Sequence, residues 1–76
     1  MNRMIFYPAF AIDQEVKVQV LGFITRGKVI GMRTLTTRDN SKITYEVQFG
    51  ATIDDRVSPN QEQLKEAQTL PLGELK

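Results

Sequence analysis

The sequence predicts an all-β domain: a small, strongly bent five-stranded barrel with a short C-terminal helical turn. Three observations carry this. Glu15-Val16-Lys17-Val18-Gln19-Val20 and Ile43-Thr44-Tyr45-Glu46-Val47-Gln48-Phe49 alternate polar and apolar residues with the period of two of a half-buried strand. A β-branched run with a glycine in its middle, residues 27–36, lies between them. The chain has only 76 residues, so strands this short must curve onto one another to bury both ends of a shared core. An open antiparallel sheet with the helix across one face is the alternative.

Each element follows in chain order. Residues 1–14 read as an apolar, aromatic lead-in. In the first strand Val16, Val18 and Val20 face the core, while Lys17 and Gln19 face water. Residues 27–36 are a second strand, with Gly31 marking a bulge or sharp bend. Arg38-Asp39-Asn40-Ser41 tolerates a tight turn, which makes 32–37 and 42–49 an antiparallel hairpin. The second arm points Ile43, Tyr45, Val47 and Phe49 inward. Gly50-Ala51-Thr52 turns again, and residues 54–57 give a short last strand. Ser58, Pro59 and Gln61 then read as cap, first helical residue and capping-box partner of a helix over 59–67. Leu64 and Ala67 share its apolar face, and Pro71 and Gly73 stop it. The whole, 1–76, reads as a single domain: lead-in 1–14, barrel strands 15–58, helix 59–67 and tail 68–76.

Composition narrows the chemistry. With 0 cysteines and 0 histidines, there is no disulfide, no thiolate and neither of the commonest metal ligands or general bases. Adjacent carboxylates Asp54 and Asp55 point to opposite faces of a strand, a poor arrangement for a shared metal or proton. The expectation is therefore a protein that is not an enzyme, with no metal and no cofactor. A net charge of +1 does not mark a polyanion binder. No apolar run approaches the ~20 residues that span a bilayer, and Asp13 and Glu15 interrupt the lead-in too early for a secretory signal. A cytoplasmic chain with no membrane partner is expected.

Four segments resemble the SH3-like barrel superfamily. Phe10-Ala11-Ile12-Asp13-Gln14-Glu15-Val16-Lys17-Val18 looks like the apolar residue and Asp-containing turn before its first strand. Gly27-Lys28-Val29-Ile30-Gly31-Met32 resembles the second strand and Tyr45-Glu46-Val47-Gln48-Phe49-Gly50 the third. Val57-Ser58-Pro59 followed by Gln63-Leu64 resembles the closing strand and final helical turn. Tudor-like and KOW-like domains share this frame, and the spacing is most similar to small uncharacterised phage and prophage proteins. The aromatic segment and tryptophan of a proline-binding SH3 groove are missing. The resemblance implies a fold and a binding role without naming the ligand.

Two binding readings follow. In the first, the chain is a non-catalytic protein-binding or adaptor module that binds a protein or another copy of itself. Phe23, beside Gly22 at a loop tip, and Phe6 and Tyr7 in the lead-in are its apolar anchors, with Arg26 and Lys28 setting orientation. In the second, Arg26, Lys28, Arg33, Arg38 and Lys42 track the phosphates of a nucleic acid. The second reading gains if these five share a face without Glu46, and loses if Glu46 sits among them. The lead-in covers an open end of the barrel or forms a partner surface. The tail from Leu70 to Leu75 docks on its own sheet or on something else.

Overall fold

A computed structural model describes residues 8–74. Its elements are β1 (Glu15–Val20), β2 (Phe23–Thr36), β3 (Ser41–Gln48), β4 (Arg56–Val57), α1 (Gln61–Gln68) and β5 (Gly73–Glu74). β1 to β4 form an antiparallel meander, and β5 returns to pair with the start of β2. The chain is thus mostly antiparallel strand, with one short helix.

β2 organises the sheet. Residues 23–28 pair with β1, and residues 28–36 pair with β3. The register slips between Val29 and Gly31, in the place Gly31 marks in the sequence. This extra residue lets one strand of 14 residues serve two neighbours at different angles.

The core gathers on the concave face. Val16, Val18, Val29, Ile43, Tyr45, Val47 and Leu64 are buried in one cluster with Phe10. Val20 and Phe49, expected inside, are half-buried at its margin. Phe10 meets Tyr45 edge to face, with ring centroids 5.4 Å apart, a favoured aromatic geometry. The Phe10 N–H also points to the Tyr45 hydroxyl at 3.4 Å, and that hydroxyl donates to Gln61 Oε1. Residues 8–14 therefore cover one end of the sheet. Phe6 and Tyr7 lie outside the described residues.

Gly27 faces this core from β2. A methyl group there would lie 2.5 Å from Val47 Cγ1 and 3.0 Å from the Gln48 carbonyl oxygen. The backbone oxygen cannot rotate away. Gly27→Ala should destabilise the fold by about 1–3 kcal/mol through overpacking, read as a lower thermal midpoint.

The structure departs from the sequence reading at three points. The closed barrel does not form among the described residues: β1 and β4 are the two ends of the meander and do not pair. The reason lies at the β1 edge, where a side chain takes the place of a strand. Gln68 Nε2 donates to the Lys17 carbonyl at 2.7 Å, and Lys17 N–H donates to Gln68 Oε1 at 3.0 Å. Second, Phe23 is in a strand, not a loop. Leu21 and Gly22 alone make the turn, with φ of 48° and 83°, the double positive φ of a type I′ hairpin. Third, the helix starts two residues late. Asn60 is the N-cap and forms the capping box with Gln63. The Pro59 carbonyl is occupied by Tyr45 N–H at 2.8 Å, which holds the chain extended up to that point. Of the two paths left open for the tail, Gly73 and Glu74 take the one along its own sheet, as β5. Lys17 Nζ donates to the Leu70 carbonyl at 2.9 Å and fixes its path across the outer face. Among the described residues no helix is long and apolar enough to cross a membrane.

Candidate functional site

Cross-strand partners in an antiparallel pair share a face. Val20 opposes Phe23, Lys17 opposes Arg26 and Glu15 opposes Lys28. Phe23 thus lies on the valine side of the sheet, while Arg26 and Lys28 lie on the outer side. The anchor and its two orienting cations are not one patch.

The basic residues come together in part. Lys28 opposes Gln48, Arg33 opposes Thr44 and Lys42 opposes Leu35, so they share the outer face with Arg26. Arg38 sits apart, in the turn between β2 and β3. Glu46 stands in the middle of the set. Its carboxylate accepts from Arg33 Nη2 at 3.2 Å and lies 4.0 Å from Arg56 Nη1. A carboxylate held between Arg33 of this set and Arg56 repels a phosphate where a continuous track is needed. By the criterion set from the sequence, the nucleic-acid reading loses ground.

Three of the six large apolar side chains exposed among the described residues lie at or beside the β1–β2 turn; Ile12, Leu35 and Ile53 are exposed elsewhere. Leu21 is 94% exposed and Phe23 51%. Leu72, also exposed, precedes Gly73, which pairs with Ile24 beside them. Leu21 carries a second cost. A φ of 48° is left-handed backbone, where a bulky residue is disfavoured by roughly 1–2 kcal/mol. Asn or Gly suits this position, yet leucine occupies it.

Leu21 and Gly22 border a groove of about 410 Å³. The other wall is Val57, Ser58 and Pro59, with Gln63 at the helix end. The groove is the open seam between β1 and β4. Its walls are strand edges whose peptide groups can be assigned. Lys17 turns its N–H and C=O toward Gln68, away from β2, so by alternation Gln19 turns its own to the same edge. On either side of β4, Pro59 C=O accepts from Tyr45 and Asp55 C=O from Phe49. Ser58, between the positions facing β3, turns its peptide groups outward. Among the described residues nothing hydrogen-bonds to the outward groups of Gln19 or Ser58. No charged side chain among the described residues lines the groove.

Among the described residues no three carboxylates cluster as a metal site would require. Sequence reasoning missed Leu21, Gln19 and Ser58. Gly22 was a turn signal, but the leucine before it hid the hairpin, and edge groups become visible only once the strand order is known. No family model matches the chain, and no curated protein or solved structure is similar to it.

Proposed function

We propose that this chain is a small non-catalytic module that binds a protein partner at the β1–β2 hairpin tip and the seam beside it. We infer an SH3-like module, of the type found in phage and prophage proteins and acting in the cytoplasm. The antiparallel meander, with a bulge in its long second strand and a short helix after it, supports the SH3-like frame. The single observation that carries the binding role is Leu21. It exposes a large apolar side chain and occupies a backbone conformation that leucine disfavours. Residues held against local preference cluster at functional sites, where stability is given up for activity. Phe23 supplies a second anchor on the same hairpin, and the seam offers a recess next to it.

The test separates stability from binding. Leu21→Asn removes the strained leucine and suits the turn. It should stabilise the fold by about 0.5–1 kcal/mol, which raises the melting temperature by several degrees in a domain this small. The same variant should lose retention of the partner recovered by affinity capture and identified by mass spectrometry. A more stable variant that keeps full retention contradicts the role given to Leu21.

A further inference from the structure

The seam specifies more than an apolar contact. Gln19 on β1 and Ser58, the residue after β4, both border the groove, and alternation along the chain sends their peptide N–H and C=O to the edges away from β2 and β3. Peptide groups left unpaired at a strand edge are a template for another strand. A helix cannot use them, because its own peptide groups are already bonded internally. An extended backbone can. The uncharged lining leaves no partner for a desolvated charge. Val18, buried, and Val57, half-buried, lie in the walls and offer apolar contact to a side chain pointing inward.

We propose that the β1–β4 seam is a strand-acceptor site, in which an extended, uncharged segment of a partner protein inserts between Gln19 and Ser58. This rests on the protein-binding reading and adds the form of the ligand. The inserted strand bonds to Gln19 on one side and Ser58 on the other. Successive residues of a strand direct their peptide groups to opposite edges, so two consecutive peptide residues serve the two walls. The insertion completes the sheet that residues 8–74 leave open. The helix limits its length, because Gln68 already occupies the β1 edge at Lys17. The ligand therefore needs only a short extended stretch.

The experiment selects peptides from a displayed random library on the full immobilised chain. The strongest binder is synthesised and then N-methylated one residue at a time. Binding is measured by titration, and amide exchange of Gln19 and Ser58 is followed by NMR. The expected result is slower exchange of both amides in the complex. Methylation at two consecutive peptide residues should weaken binding by about tenfold, the effect of losing one hydrogen bond. A bound peptide that leaves both amides exchanging as before, or tolerates methylation throughout, overturns the insertion. So does protection of both amides in the free chain, which would mean that the chain's own residues or a second copy fill the seam. A library that yields no binder also overturns it, but leaves the protein-binding reading standing. A folded partner can still engage Leu21 and Phe23, and the Leu21→Asn comparison tests that separately.

Discussion

Leu64→Ala is expected to destabilise this chain by about 2–5 kcal/mol, the range for deleting a fully buried leucine. Leu64 is the helix's contribution to the main core and is completely shielded from water. The helix has only eight residues, too few to persist without tertiary packing. Its attachment otherwise rests on Ala67, on Gln61, which accepts from the Tyr45 hydroxyl, and on the Gln68 bonds to Lys17. A chain of 76 residues has a total stability of roughly 4–11 kcal/mol. The substitution thus removes a large share of it. Urea titration followed by far-ultraviolet circular dichroism should show a strongly lowered midpoint. Leu64→Met, which preserves volume, should cost under about 1.5 kcal/mol. Equal losses for the two variants would mean that the site is not tightly packed.

Gln68→Ala is the second large effect, and it acts through hydrogen bonds. The Gln68 side chain accepts from Lys17 N–H and donates to the carbonyls of Lys17 and Leu64. Alanine leaves the partly buried Lys17 peptide groups without a protein partner, which costs about 1–3 kcal/mol for each group that water cannot reach. Gln68→Glu keeps an acceptor for Lys17 N–H but loses both donated bonds, so it should fall between wild type and alanine. Lys17 amide exchange should accelerate in Gln68→Ala and much less in Gln68→Glu. Unchanged exchange in both would mean that the side chain does not occupy the β1 edge.

Much of the fold was legible because it follows from local periodicity. The alternating valines of β1 and the alternation of Ile43, Tyr45 and Val47 in β3 gave their faces directly. Gly31 marked the bulge, and the polar turn near Asn40 marked the hairpin. What was not legible depends on competition between distant groups. Nothing local says that the Pro59 carbonyl is taken by Tyr45, which moves the helix cap from Ser58 to Asn60. Nothing local says that a glutamine at 68 reaches a strand at 17 and stands where a barrel would close.

The site was less legible than the fold. Phe23 was found by its exposure beside a glycine, and it is exposed. Its grouping with Arg26 and Lys28 failed because an assumed loop is a strand, and a strand sends alternate residues to opposite faces. Four of the five residues of the basic set share a face, and Glu46 lies among them. The open seam is a property of strand order and of two edges, and no single residue announces it.

The central claim is that residues 8–74 leave the sheet open between β1 and β4. Native-state amide exchange of the free chain, resolved by residue, tests it most directly. Gln19 and Ser58 amides should exchange fast, near the rate of unprotected residues. Val18, whose amide faces β2, and Val57, whose amide faces β3, should exchange slowly. Slow exchange at Gln19 and Ser58, matching Val18 and Val57, would show that both edges are already paired and would contradict the account.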